Sequence, residues 1–271
     1  MHSIVLTVHN KDWLIDQVIN GIIFNTKTSY ELIIVIDGCS DNSEQVIWDT
    51  LSNSSINKKI LYAPDVFETK ANNLGMKAAS GDKIIVIQDD MVIQEEGWNV
   101  RMEKPFKAFD DVFAVTANTA HNWVFNPNSV HLGMEEDLDT CWCDIIDHVD
   151  HASKVHGLSR DTFAVRCSSN RGPLMIDHND LQRLDYLDES FAPQDMDDHD
   201  LCYRAYKQLD KVVGAYWIDY LSDSSWGGTR VSGQVAPWLF KAHHKNTKLF
   251  YERHKDIFDN HRIVENRELP E

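Results

Sequence analysis

Hydrophobic residues along the chain form short continuous runs that alternate with stretches of helical spacing. The continuous runs are typical of strands buried on both faces, as in the middle of a parallel sheet. We predict such strands at residues 3–9, 32–36, 59–63, 84–87 and 112–116. The intervening spacing predicts helices that end near residues 25 and 51, and helices over 67–80 and 98–109. This alternation predicts an α/β fold with a Rossmann-like, mostly parallel central sheet, right-handed crossovers and flanking helices.

The pattern loosens after about residue 118, so the chain is expected to divide there into two halves, 1–118 and 119–271, of one continuous domain. The second half predicts fewer regular elements. We expect a loop over 121–132, an acidic and partly helical stretch over 134–156, a turn feeding a strand over 171–176, a loop over 187–194, a helix over 197–209 closely preceding a strand at 212–218, a polar loop over 224–233 and a final helix over 238–258.

The composition narrows the possible partners and the compartment. A net charge of −17 argues against a nucleic-acid partner, because phosphate backbones need patches of Lys and Arg. No run of about 18 apolar residues is present, so no membrane span is predicted. The chain enters its first strand without a basic segment or a cleavage site, so no signal peptide is expected. The five scattered cysteines favour a reducing compartment, and we expect a cytoplasmic protein.

Acidic residues follow two of the predicted buried strands. Asp37 comes after the second strand, and Gln88, Asp89 and Asp90 come after the strand at 84–87. Open α/β sheets bind ligands beyond the carboxyl ends of their strands, so these residues are candidates for one crevice. Asp37 could accept hydrogen bonds from a base or ribose, and Asp90 could bind Mg²⁺ or Mn²⁺. The structural alternatives are an ordinary Asp-Gly turn and a solvated acidic turn.

A second acidic cluster begins the predicted helix at 197–209. Residues 195–200 contain four aspartates and one histidine, which is more than helix capping requires. One of these carboxylates could act as a general base on a hydroxyl group. Helix capping remains the explanation for one or two of the acids.

Several other chemistries lack a matching pattern. His148, His151 and His156 follow Cys141 and Cys143, but their spacing fits no closed zinc site, so a solvated surface is favoured. Phosphate-binding loops of the P-loop and dinucleotide types are absent, and so is the Gly-x-Ser-x-Gly turn of serine hydrolases.

Taken together, the motifs resemble family 2 glycosyltransferases of the GT-A fold over nearly the whole chain. The first strand and its turn, Ile4-Val-Leu-Thr-Val-His-Asn10, resemble the start of that family. Val35 to Ser43 is similar to its Asp-Asp-Gly-Ser-x-Asp segment, and Ala71-Asn-Asn-Leu-Gly75 to its Ala-Arg-Asn-x-Gly, with Asn72 replacing the Arg. Gln88 to Asp90 takes the Asp-x-Asp position, and Gly97-Trp98 follows as in many members. Arg171-Gly-Pro173 and residues 187–204 resemble the acceptor-side block.

The resemblance implies inverting transfer of a hexosyl or deoxyhexosyl group from a nucleotide-diphosphate sugar to a hydroxyl of a glycan or glycoconjugate. Residues 1–118 would bind the nucleotide-sugar and 119–271 the acceptor. Asp198 would be the catalytic base, with Asp197 as the alternative, and Asp90 would hold a divalent metal, Mn²⁺ or Mg²⁺. The other donor-binding candidates are Thr7, His9, Asn10, Asp37, Lys70, Asn73, Gln88 and Asp89.

Two departures from the family pattern leave the metal ligands open. Gln88 is neutral where the family has a first acid, so metal binding depends on Asp90, with Asp89 acting through water. Family members often supply a later His to the metal, and we take His243 as that ligand, with Asp223 and His244 as alternatives.

Two other functional classes compete with this hypothesis. A sugar nucleotidyltransferase would need a Gly-rich, Lys- or Arg-bearing loop after the first strand, where this chain has His9-Asn-Lys-Asp12. A non-catalytic nucleotide- or carbohydrate-binding module is favoured by Gln88 and disfavoured by the acidic pair Asp197 and Asp198.

Overall fold

A computed structural model describes most of the chain. The described residues are 1–52, 54–126, 139–147, 156–223, 225–227, 237–258 and 262–270. His148 and His151, for which a solvated surface was favoured over a zinc site, lie outside them, as does most of the predicted loop over 224–233.

A nine-stranded sheet forms the centre of this described part, in the order β14-β9-β12-β6-β11-β4-β1-β2-β3. Within it, β9 and β11 run against the direction shared by the other seven strands. The predicted α/β class with a mostly parallel sheet is therefore confirmed. Strands from both sides of residue 118 share the sheet. The strands are β1 His2–Val8, β2 Tyr30–Asp37, β3 Asn57–Ala63, β4 Lys83–Gln88, β5 Val92–Ile93, β6 Val112–Thr116, β7 Thr119–Asn126, β8 Asp139–Asp147, β9 Thr162–Arg166, β10 Ser168–Ser169, β11 Leu174–Asp177, β12 Val212–Ala215, β13 Tyr220–Leu221 and β14 Glu265–Glu268.

Helices cover both faces of the sheet because successive strand residues point to opposite sides. Leu6 of β1 lies in one core cluster with Val18, and Val5 lies in the other with Met76 and Leu201. The helices are α1 Ile15–Asn25, α2 Ser43–Leu51, α3 Phe67–Lys77, α4 Trp98–Met102, α5 Lys104–Ala108, α6 His178–Arg183, α7 Asp197–Leu209 and α8 Pro237–Phe258, with a 3-10 turn at Glu189–Phe191. None of the described helices is long and apolar enough to cross a membrane.

The parallel register aligns the carboxyl ends of three central strands. Thr7 pairs with Gln88 of β4 on one side and with Val35 of β2 on the other. Residues just after β1, β2 and β4 therefore meet at one edge of the sheet, as their position in the sequence predicted.

A separate three-stranded sheet, β10-β7-β8, corrects two predictions. The predicted loop over 121–132 contains most of strand β7, and the predicted partly helical stretch over 134–156 contains strand β8. The two strands pair antiparallel, with Trp123 opposite Trp142 and an irregularity between Ala120 and Asn122. The two strands stabilise each other across residues 127–138, and local composition does not show such cross-strand pairing.

Two predicted helices have different boundaries in the structure. The helix over 98–109 is divided into α4 and α5, because Pro105 fits only the first turn of a helix. Helix α3 ends at Lys77, three residues before its predicted end at residue 80. A side chain at Gly81 would collide with Met1 O and Ser3 N, each 2.7 Å from an added Cβ, which explains the glycine there.

Glu31 is a buried carboxylate at the opposite edge of the sheet from the cleft. Its Oε1 accepts hydrogen bonds from Ser3 Oγ and Ser80 N, both at 2.6 Å, and Oε2 lies 2.8 Å from Lys59 Nζ. Burial alone would raise its pKa, but the hydrogen bonds from Lys59, Ser3 and Ser80 outweigh burial and lower the pKa to about 2.

We expect Glu31→Gln to lower the free energy of unfolding at pH 7 by about 1–3 kcal/mol, because the variant loses charge-assisted hydrogen bonds. Since the folded pKa lies below its ordinary value of 4.5, the contribution of Glu31 is complete above that value and is lost as pH falls toward 2. Urea unfolding at several pH values should show the difference between wild type and variant shrinking from pH 5 downward. The exposed Glu252→Gln serves as the control, and a pH-independent difference would contradict the assignment.

Candidate functional site

A cleft of about 240 Å³ lies at the carboxyl ends of β1, β2 and β4 and is closed on one side by α3. Most of its lining is polar. The lining includes five of the predicted donor-binding residues, Thr7, His9, Asp37, Gln88 and Asp89, and the predicted metal ligand Asp90. The remaining lining residues are Val8, Phe67, Glu68, Ala71, Asn72, Gln194 and Gly227.

Asp37 joins the end of β2 to the start of α3. Its carboxylate accepts hydrogen bonds from Val66 N at 2.7 Å and Phe67 N at 2.9 Å, which satisfies amides that a helix start leaves without a partner. The backbone oxygen of Asp37 also lies 2.6 Å from His9 Nδ1. Asp37 therefore positions α3 as well as lining the cleft.

Asn10 and Asn73 support the backbone around the cleft. Asn10 Oδ1 accepts hydrogen bonds from Ser40 N at 2.7 Å and Asp41 N at 3.3 Å, so it shapes the turn after β2. Asn73 bonds through both ends of its amide to the backbone of Leu187. Neither side chain lines the cleft, and the Lys70 side chain is exposed outside it.

Asp89 and Asp90 have different surroundings although they are adjacent. Asp89 Oδ2 accepts a hydrogen bond from His9 N at 3.0 Å, and its Oδ1 lies 3.4 Å from the ammonium of Lys11. Lys11 is 1% exposed and also donates to Trp226 O at 2.5 Å. Asp90 Oδ1 is buried and accepts no hydrogen bond from the described residues. Asp89 is thus bound within the protein, whereas Asp90 retains an unused acceptor.

Both carboxyls are affected by burial. Burial raises the pKa of Asp89 and of Asp90, and the positive charge of Lys11 opposes the rise in each case. A cation close to Asp90 would remove this penalty for ionisation.

The surroundings of Asp90 fit a divalent ion that a substrate helps to bind. Among the described residues no group of three or more His, Cys, Asp or Glu side chains could hold a metal ion. Mg²⁺ is commonly held by one or two carboxylates together with substrate phosphates, so a single carboxylate with a buried unused oxygen is a sufficient protein contribution.

The predicted second ligands are not among the residues that line the cleft. His243 Nδ1 lies 3.4 Å from Asp195 Oδ2, and Asp223 accepts hydrogen bonds from the backbone and side chain of Ser225. His244 packs against Phe240 within α8. Gly227 lies close to Asp90, since an added Cβ there would be 3.1 Å from Asp90 Oδ2.

Asp197 and Asp198, at the start of α7, are also held differently. Arg171 makes a two-pronged ion pair with Asp197, at 2.8 and 2.7 Å, and its backbone N donates to Asp198 Oδ2 at 3.2 Å. The Asp197 side chain is fully buried, while that of Asp198 is 10% exposed. Asp198 lines a small cavity with Asn72 and Arg171 and does not line the main cleft.

His199 contributes to the charge balance around Asp198. Its Nδ1 shares a 2.6 Å hydrogen bond with Ser168 Oγ, and its Nε2 lies 3.7 Å from Asp198 Oδ1. Burial alone would raise the pKa of Asp198, but His199 and Arg171 together hold it below its ordinary value. The carboxyl is therefore ionised at neutral pH and able to accept a proton.

Lys11, Glu68 and Asn72 were not predicted as site residues. Glu68 and Asn72 are four positions apart on α3 and both line the cleft. The available signal was the replacement of the family's Arg by Asn72, which marks that helix face as different. Nothing local distinguishes Lys11, whose place beside Asp89 arises from the pairing of β1 with β4.

Residues 3–171 match the model of Glycosyl transferase family 2, whereas no curated protein sequence matches significantly. Staphylococcus aureus TarS 1–349 in complex with UDP-GlcNAc is 13% identical, with a TM-score of 0.55 over 96% of this chain and 73% of that one. Mannosyltransferase PcManGT from Pyrobaculum calidifontis, in complex with GDP-Man and Mn²⁺, is 12% identical, with a TM-score of 0.55 over 80% and 54%.

GalNAc-T7 with UDP, GalNAc and Mn²⁺ is 11% identical, with a TM-score of 0.65 over 95% of this chain and 49% of that one. This chain thus spans about half the length of GalNAc-T7 and of PcManGT. At such low identity the likeness shows the fold, which is that of the GT-A glycosyltransferases. Because the family model covers more than half of the chain, the protein belongs to glycosyl transferase family 2.

Proposed function

We propose that the protein is a metal-dependent, inverting glycosyltransferase that moves a sugar from a nucleotide-diphosphate sugar to an acceptor hydroxyl, on a glycan or glycoconjugate. The observation that carries the proposal is the buried, unused oxygen of Asp90 in a cleft at the carboxyl ends of the parallel strands. Ligands of α/β sheets bind at that edge, and the fold is one whose solved examples contain UDP, GDP-Man and Mn²⁺.

In this proposal the N-terminal half binds the donor. Asp90 would hold Mn²⁺ or Mg²⁺, which neutralises the negative charge that develops on the diphosphate as the sugar leaves. Thr7, His9 and Gln88 line the same cleft and would contact the nucleotide, and Asp37 would bind the base or ribose. Asp89 is proposed to orient Asp90 through its bonds to Lys11 and His9 rather than to bind the ligand itself.

The catalytic base is proposed to be Asp198, in the acceptor half. A carboxylate that removes the proton of the attacking hydroxyl helps transfer, and direct attack opposite the leaving diphosphate inverts the anomeric centre. Asp197 is the weaker candidate because Arg171 occupies both of its oxygens. The low pKa of Asp198 supports an ionised base at neutral pH.

A non-catalytic module that binds nucleotide-sugars is the second candidate. It is favoured by one observation, that Asp198 lines a small cavity with Asn72 and Arg171 and does not line the main cleft. Nucleotide-sugar binding without either transfer or hydrolysis, across a panel tested with and without Mn²⁺, would support this module instead.

Asp198→Asn is expected to lower the rate of sugar transfer by about 100- to 10,000-fold, because the variant cannot accept the proton of the acceptor hydroxyl. Nucleotide binding should stay within a few-fold of wild type. The measurement is nucleotide release from UDP-GlcNAc, UDP-glucose and GDP-mannose, with calorimetry for binding. Asp185→Asn, at an exposed left-handed position that Asn tolerates, is the control. Wild-type turnover by Asp198→Asn would remove Asp198 from the role of base.

Asp90→Ala is expected to abolish the metal-dependent part of nucleotide-diphosphate binding, because it removes the proposed protein ligand of the ion. Calorimetric titration of UDP and GDP should show Mn²⁺ strengthening binding to wild type by at least about tenfold, a change of 1.4 kcal/mol, and having little effect on the variant. The exposed Asp110→Ala is the control for loss of negative charge. Equal affinity of the wild type with and without Mn²⁺ would refute metal dependence.

A further inference from the structure

Helix α3 runs from the main cleft at Asp37 to the small cavity that Asp198 lines. Its first backbone amides, at residues 66 and 67, bond to Asp37 at the proposed nucleoside end. One turn further along, Asn72 shares a small cavity with Arg171 and Asp198, at the proposed transfer end. Glu68 lies between these points and faces the cleft. A donor that extends from Asp37 toward Asp198 would therefore pass Glu68 and Asn72 with its sugar.

The Glu68 carboxylate forms an ion pair with Arg171 and remains partly exposed. Its side chain is 35% exposed, and its ion pair among the described residues is with Arg171 Nη2 at 3.4 Å. Arg171 is itself fixed by its two-pronged ion pair with Asp197. The anchoring limits the rotamers of Glu68, so its oxygens are held ready to accept hydrogen bonds from a ligand.

Asn72 supplies an independent sign that a ligand belongs here. The residue is 2% exposed, lines the cleft and has a buried Oδ1 that accepts no hydrogen bond from the described residues. Leaving such an atom unsatisfied is unfavourable, and a hydrogen bond from a bound hydroxyl would remove that cost. Asn72 is four positions after Glu68, so the two side chains lie on the same face of α3.

The chemistry of this pair matches sugar hydroxyls better than phosphate. A carboxylate accepts hydrogen bonds and an amide both donates and accepts, which suits the neighbouring hydroxyls of a pyranose ring. Phosphate oxygens would be repelled by Glu68, and the cleft-lining residues of α3 carry no cation.

We propose that Glu68 and Asn72 bind the hydroxyls of the transferred sugar and so select the donor by its sugar. The inference rests on the proposed function, because it takes the ligand of the cleft to be a nucleotide-sugar. It goes further in assigning the sugar site to one face of α3.

The test compares each variant's loss of affinity for a nucleotide-sugar with its loss for the nucleotide alone. Calorimetry with Mn²⁺ first identifies which of UDP and GDP the wild type binds, and then uses UDP-GlcNAc and UDP-glucose, or GDP-mannose. Glu68→Ala and Asn72→Ala should each weaken nucleotide-sugar binding by about 5- to 20-fold, the worth of one hydrogen bond, and change nucleotide binding less than about twofold.

Two further variants separate ligand contact from a structural role. Glu68→Gln keeps an acceptor oxygen and should recover part of the lost affinity, while Leu74→Ala, on the outer face of α3, should change neither affinity. Equal losses for nucleotide and nucleotide-sugar would assign Glu68 and Asn72 to structure and overturn the inference. Unchanged nucleotide-sugar binding in both alanine variants would also overturn it. A wild type that binds neither UDP nor GDP would refute the proposed function itself, and the inference with it.

Discussion

Two buried cations make it possible for this acidic chain to hold its acidic site together. Lys11 pairs with Asp89 beside the strand ends, and Arg171 pairs with Asp197 at the start of α7. Adjacent carboxylates repel one another, and burial adds a further cost to each charge. A fixed cation on the first acid of each pair offsets both effects. Without Lys11 and Arg171, the carboxyls would have to take up protons or move apart, and the arrangement of both acidic pairs would be lost.

The same arrangement gives the two acids of each pair different tasks. Asp89 is occupied by internal partners, whereas the buried Oδ1 of Asp90 accepts no hydrogen bond from the described residues. Asp197 is likewise enclosed by Arg171, which leaves Asp198 ionised and partly accessible. Electrostatics therefore accounts for the different roles proposed for the two acids of each pair. Asp90 and Asp198, which are proposed to face the ligand, each depend on the neighbouring aspartate for their orientation. The overall charge of −17 does not prevent a diphosphate from binding as long as a metal ion supplies local positive charge.

The sequence predicted what is determined locally and missed what depends on tertiary pairing. Apolar runs located β1, β2 and β4, and the rule that ligands bind at strand ends placed Asp37, Gln88 and Asp89 at one cleft. Asn10 and Asn73 were assigned to the ligand because their motif resembles the family's, although their side chains bond to the backbone of the protein. Strands β7 and β8 were missed because their stability comes from pairing with each other.

The position of α3 is fixed by contacts with both halves of the chain. The Asp37 carboxylate accepts hydrogen bonds from the first amides of α3, and Thr69 N donates to Pro193 O. Asn73 hydrogen-bonds to the backbone of Leu187, so the helix is attached to both halves of the chain. Glu68 adds a link to Arg171, the cation that fixes Asp197. A shift of α3 would therefore move Glu68 and Asn72 relative to Asp37 and Arg171. In the proposed reaction such a shift would disturb the nucleoside contact, the sugar contacts and the base together, and misplacement by about 1 Å can cost 100-fold in rate.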